Sequence, residues 1–142
     1  MFIPKKTKYK KQQKGRNFKK ISINKSCANN IIKKSNKIFL LAVSAGRISS
    51  KHLITCRQTI NKIIKKYGTL SVLTFANTPI SKKPSEIRMG KGKGAVNEWV
   101  AKIKPGKILF EILVTQKILG IKALKSVQNK LPISTKIIIW HN

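Results

Sequence analysis

"GKGKGAVNEWVAKIKPGKILFEILV", residues 90–114, decides the fold. Gly90, Gly92 and Ala95 satisfy the G-x-G-x-x-A spacing of a dinucleotide-binding turn. That reading needs a strand before the glycines, a helix after them and an acid about 20 residues on. Residues 96–103, just past the glycines, alternate instead. Val96, Glu98, Val100 and Lys102 oppose Asn97, Trp99, Ala101 and Ile103, the two-residue period of a strand. "SKKPSEIRM" (81–89) before them is no buried strand, and no Gly-Lys-Ser/Thr stands at P-loop spacing. Both nucleotide readings fail. Pro105 and Gly106 suit positions two and three of a type II turn, and "ILFEILV" (108–114) is expected to complete a hairpin.

Outward from this stretch the elements continue. "KIFLLAVS" (37–44) has strand length, and "AGRISS" (45–50) is expected to turn the chain. In residues 49–68, Leu53, Cys56, Ile60, Ile63, Ile64 and Tyr67 recur at three- and four-residue steps, the mark of an amphipathic helix. Ser49 or Ser50 can cap it, Lys65 and Lys66 favour its C-terminal end, and Gly68 can terminate it. "TLSVLTFA" (69–76) reads as a strand, and the prolines of "NTPISKKPSEI" (77–87) as breakers. A second helix over 115–131 sets Ile118, Ile121, Leu124, Val127 and Leu131 on one side, with Thr115 as its cap and Pro132 as its stop. "ISTKIIIW" (133–140) is a final strand. About five strands and two helices with hairpin-type neighbours give an α+β fold, an antiparallel or mixed sheet packed with two helices.

Composition bounds the partner. The 142 residues suit one domain that buries roughly two-thirds of its unfolded surface. Lys and Arg number 32 against 3 acids, a formal net charge of +29. The acids are Glu86, Glu98 and Glu111. A chain this cationic repels itself when compact, and a polyanion relieves the repulsion while releasing counterions. Lysine dominates and acts as a point charge. The four arginines, Arg16, Arg47, Arg57 and Arg88, are the candidates for directed contacts.

Residues 1–36 read as a basic, extended N-terminal arm that orders on its partner, and 37–142 as a single domain with a flexible loop at about 80–95. Tyr9 and Phe18 are expected to pack on the domain rather than stack on bases. Three glycines let a phosphate approach the loop backbone, Lys91 and Lys93 add charge, and Arg88 adds a planar fork.

Other chemistry has little footing. Cys27, Cys56, His52 and His141 match no metal spacing, and no metal or cofactor is expected. Cys56 belongs to the first helix's apolar side. No Ser-His-acid or Cys-His set suggests catalysis, and Glu98 and Glu111 are expected to pair with lysines. No apolar run of about 20 residues spans a membrane. The start has no signal-peptide stretch.

"PKKTKYKKQQKGR" (4–16), "AGRISSKHLITCRQTI" (45–60), "TPISKKPSEIRMGKGKGAVNEWVAKIKPGKILFEI" (78–112) and "KLPISTK" (130–136) together resemble the bacterial-type large-subunit ribosomal protein sixteen family, in order and at family length. The resemblance implies a hammerhead-type α+β fold and a non-enzymatic, rRNA-binding constituent of the large subunit. It implies a place beside the aminoacyl-tRNA site and the peptidyl-transferase centre, late assembly, and neighbouring large-subunit proteins, with no membrane and no homo-oligomer. Carried onto this sequence, rRNA contacts fall to Lys5, Lys6, Lys8, Tyr9, Lys10, Lys11, Lys14, Arg16, Arg47, Lys51 and Arg57. The tRNA-proximal loop is Arg88, Met89, Gly90, Lys91, Gly92, Lys93 and Gly94. Heavy use of Lys, Ile and Asn, with the family's opening motif almost at Met1, favours an organelle-encoded mitochondrial ribosome over a plastid or bacterial one. A free basic RNA chaperone is the alternative.

Overall fold

The structure, a computed structural model, describes residues 2–16 and 37–139. Strands β1 (Lys37–Ala42) and β2 (Gly46–Ser49) lead into helix α1 (Ser50–Ile64). Then come β3 (Gly68–Val72), β4 (Thr78–Lys82), β5 (Ala95–Ile103), β6 (Ile108–Val114), helix α2 (Lys117–Gln128) and β7 (Thr135–Ile139). They form two sheets, ordered β3-β6-β1-β7 and β2-β5-β4. All five strand pairings are antiparallel, so the fold is α+β with two helices.

Two strands and the second sheet escaped the sequence reading. β2 has only four residues and lies in what reads as a turn. β4 contains Pro79, which cannot donate to a ladder. β4 tolerates it as the edge of its sheet, with Pro79 opposite Trp99 on β5. The expected hairpin is also absent, because β5 and β6 belong to different sheets. The turn between them does form: Gly106 has φ +82° and the Lys107 N–H donates to the Lys104 carbonyl at 3.3 Å. The end of β1 takes the bonds a hairpin would have made. Ala42 N–H donates to the Lys107 carbonyl at 2.9 Å, and Gly106 N–H to the Ala42 carbonyl at 2.7 Å. The turn is therefore a crossing between sheets. The strand expected over 69–76 ends at Val72, beyond which Leu73 and Phe75 face outward while Thr74 and Ala76 are buried.

α1 buries Leu53, Cys56, Ile60 and Ile64, as its spacing predicts, but Tyr67 lies beyond the helix and is exposed. Ser49 is the cap, its hydroxyl accepting from the His52 N–H at 3.4 Å. Lys65, at φ +45°, closes the helix instead of Gly68. Gly68 serves β3, where a Cβ would stand 2.5 Å from the Leu113 carbonyl oxygen. Of the face expected for α2, Leu124, Val127 and, past the helix end, Leu131 are buried and Ile121 is half-buried against the core, but Gly120 and Ala123 are inside where Ile118 was expected, and Ile118 is 81% exposed. The reason is Gly120, whose missing side chain admits Ile38 Cδ1 to 2.7 Å from where a Cβ would sit. Thr115 does not cap α2, since Gln116 holds the N-cap position without a side-chain bond.

The helices pack against each other and join the sheets. α1 touches β2, β3 and β5, and α2 touches β1, β6 and β7. Between them lies an apolar core that includes Leu40, Leu53, Phe110, Ile112 and Leu124. Cys56 is in it, and burial pushes its thiol up to about 11, against a smaller downward pull from Lys130.

Candidate nucleic-acid interface

Residues 2–16 form neither helix nor strand, yet they are tied to the domain at three places. At the start, Phe2 packs against the core's edge and lines a surface pocket with Ile54, Arg57, Gln58 and Asn61 of α1. The Arg57 guanidinium lies 5.9 Å from the Phe2 ring centroid, within cation–π range. Further along, the Lys11 ammonium donates to the Lys93 carbonyl at 2.7 Å. In return the Lys93 ammonium donates to the Gln12 carbonyl, also at 2.7 Å. Finally, Arg47 on β2 donates through Nη2 to the carbonyls of Lys14, at 3.2 Å, and Gly15, at 2.8 Å. Gly15 has φ +63°, and a Cβ there would stand 3.0 Å from Lys102 Nζ.

Between these ties the arm is open. Every residue from Lys5 to Arg16 is exposed, including Lys5, Lys6, Lys8, Lys10, Lys14 and Arg16. Tyr9 does not pack on the domain as expected. Its ring is 63% exposed, with the Lys8 ammonium 5.5 Å from its centroid. A tyrosine among lysines has little apolar surface to rest on, and its free face suits a stacked base. Phe18, the rest of the expected arm (17–36) and the chain's end (140–142) lie outside the described residues.

The glycine loop spans 83–94 and connects β4 to β5, which pair as neighbours in one sheet. Gly94 holds the stem closed, because a Cβ there would stand 2.5 Å from the Lys82 carbonyl oxygen. At the tip, Gly90 (φ +100°), Lys91 (φ +52°) and Gly92 (φ +80°) run through three successive left-handed positions. Nothing lies within 4 Å of a Cβ built on Gly90 or Gly92. Met89 is fully exposed, and Arg88, Lys91 and Lys93 are exposed beside it. From its own stem the tip is held by Lys83, whose ammonium bonds the Gly90 carbonyl.

The structure thus brings together much of the predicted set. Lys11 and Lys93 meet directly, Lys93 also reaching Gln12, which lies outside that set, and Arg47 meets the arm. Lys51 and Arg57 stand exposed on α1, Arg57 beside the arm's first residues. Arg47 spends Nη2 on its own chain, while its Nε is buried without a partner. Phe2, Lys83 and Lys102 belong to the assembly and were missed. An isolated lysine or phenylalanine gives no sequence signal of the contact its side chain makes once the chain is folded.

Negative charge is nearly absent from this surface. Among the described residues the ion pair is Lys37 with Glu111, at 2.6 Å. That pairing was expected; one for Glu98 was expected too and does not form there. Ser49 and His52 lie 3.0 Å apart through Oγ and Nδ1, but the hydroxyl is committed to capping α1. No cluster of His, Cys, Asp or Glu among the described residues could hold a metal, and no helix there is long and apolar enough to cross a membrane. What the arrangement can do is hold an extended polyanion.

A family model described as ribosomal protein L16p/L10e matches residues 4–138, covering the arm, both sheets and the loop. With the α+β architecture and the acid-poor cationic face, this match establishes that the chain belongs to the ribosomal protein L16p/L10e family, as a structural constituent of the large ribosomal subunit.

Proposed function

We propose that this chain binds large-subunit rRNA through its arm and α1 while holding the 83–94 loop toward the acceptor arm of an aminoacyl-site tRNA. Residues 1–36 act as the RNA-seating arm and 37–142 as the domain that carries the loop. The supporting observation is the fusion of two cation-rich, acid-poor segments by bonds between Lys11, Gln12 and Lys93. Lys5, Lys6, Lys8, Lys10, Lys14 and Arg16 remain outward for phosphates, and Tyr9 for a base. Lys51 and Arg57 extend that contact along α1. At the loop tip, Arg88 supplies a two-toothed donor and Lys91 a point charge. Gly90, Gly92 and Gly94 bring the main chain close, with Met89 at the surface. The chain contributes position and charge to the peptidyl-transferase region and no bond-making step. Late joining to the subunit is carried over from the family resemblance. A mitochondrial ribosome is the setting its lysine-, isoleucine- and asparagine-rich composition favours.

The test uses ribosomes carrying Arg88→Ala with Lys91→Ala. Large subunits should accumulate normally, because neither side chain packs in the core, and aminoacyl-tRNA occupancy should fall several-fold. Normal occupancy in those particles contradicts the loop's role.

A further inference from the structure

The loop tip has little internal support. Three consecutive residues have positive φ, the space beside the two tip glycines is open, Met89 is fully exposed, and from within the loop the tip is held by the Lys83 bond to the Gly90 carbonyl. Such a segment samples many conformations unless something outside it selects one. Besides Lys83 on its own stem, the described contacts that do so come from the arm, 81 and 82 residues away in sequence. The two bonds are reciprocal. Each ammonium reaches the main chain of the opposite segment, so both the distance and the register between arm and loop are fixed. A single lysine bond would fix only distance.

We propose that Lys11 and Lys93 are positioning residues rather than phosphate contacts: together they staple the arm to the loop, so that the seating of one sets the posture of the other. The staple leaves the arm's other cations free, so RNA can take the arm without opening it. Phosphates on that arm also relieve repulsion between arm and loop, two cationic segments with only Glu86 as a nearby acid in sequence. Linkage then runs both ways: whatever steadies the loop tip tightens the arm by the same factor. The staple itself is a property of the chain alone. It rests on the ribosomal reading only for what the loop meets.

Cleavage by an arginine-specific protease tests it on the purified full chain without RNA. Two of the four arginines serve as reporters. Arg88 is in the loop, and Arg57, inside α1, reports the integrity of the fold. The readout is the rate of cutting after Arg88 relative to Arg57. Lys11→Met and Lys93→Met should each raise that ratio about two- to fivefold, the effect of one exposed hydrogen bond. Lys10→Met and Lys91→Met remove the same charge from neighbouring positions and should leave it unchanged, and Lys11→Arg should restore most of the protection. Equal ratios in all variants, or an equal rise in the two controls, overturns the staple. Either result leaves the ribosomal reading untouched, since no RNA is present.

Discussion

The core and the arm–loop face are built on opposite principles. In the core, Leu40, Leu53, Phe110, Ile112 and Leu124 are fully buried, and the two helices cover both sheets with apolar side chains. Its cohesion depends on area removed from water and is not weakened by charge screening. On the arm–loop face, exposed lysines reach main-chain carbonyls, and the space beside the tip glycines is open. Such bonds contribute little each and stand against like-charge repulsion. One region is held by burial, and the other, on the function proposed above, is a surface for a polyanion. Each region should accordingly respond to a different kind of change.

The largest effect belongs to the core. Phe110→Ala should lower unfolding free energy by about 3–5 kcal/mol, a large share of what a domain of this size possesses. Denaturant titration would show it as an earlier midpoint. A loss below about 1 kcal/mol would mean that the core is not where stability resides.

Alkali probes the same core through Cys56. Its thiol is held at about 11 in the fold against 9.0 as the ordinary value. Between those values the folded state keeps a proton that the unfolded state has lost, so stability falls as pH rises from 9 and levels off above 11. The loss should approach about 2–3 kcal/mol. It should be absent from Cys56→Ala, whose stability is lower at pH 8 but carries no such dependence. Identical pH profiles for the two proteins would show that Cys56 does not couple the core to alkali.

Glycines sharpen the comparison at the boundary. Gly94→Ala drives a Cβ against the Lys82 main chain and should cost about 1–3 kcal/mol while splaying the loop's stem. Gly90→Ala meets no neighbour but has to adopt φ near +100°, so it should cost about 1 kcal/mol and leave the stem closed. Reversal of that order in thermal unfolding would put the loop's constraint at its tip. The smallest effect is at the sheet surface. Glu111→Gln loses the pair with Lys37, which is partly open to solvent, and should cost about 0.5–1 kcal/mol, less at high salt.

Local patterns were legible in the sequence and long-range choices were not. α1 could be read because four buried residues repeat at helical spacing, and Gly106 because a Pro-Gly turn demands a positive φ. β4 was hidden because Pro79 reads as a breaker unless its strand is known to be an edge. The supposed β5–β6 hairpin failed because alternation shows that a strand exists and says nothing of its partner. Ile118 was misplaced because the periodicity of α2 fits two faces, and Gly120, a residue with no hydrophobicity to count, selects between them. In the candidate interface the cations were plain from composition. Their joining was not, because the Lys11–Lys93 contact depends on how β4, β5 and the arm come together.

If arm and loop form one RNA-facing surface, the salt dependence of binding to a large-subunit rRNA fragment reports it most directly. Plotted as log affinity against log salt, the full chain should give a steep line, losing roughly 0.7–0.9 in slope for each phosphate contact removed. Changing Lys5, Lys6, Lys8 and Lys10 together to Met should flatten it by up to roughly 3–3.5, with the fold unaltered. A line that is shallow from the outset, or a slope that these four substitutions leave unchanged, would contradict an RNA-facing arm and loop.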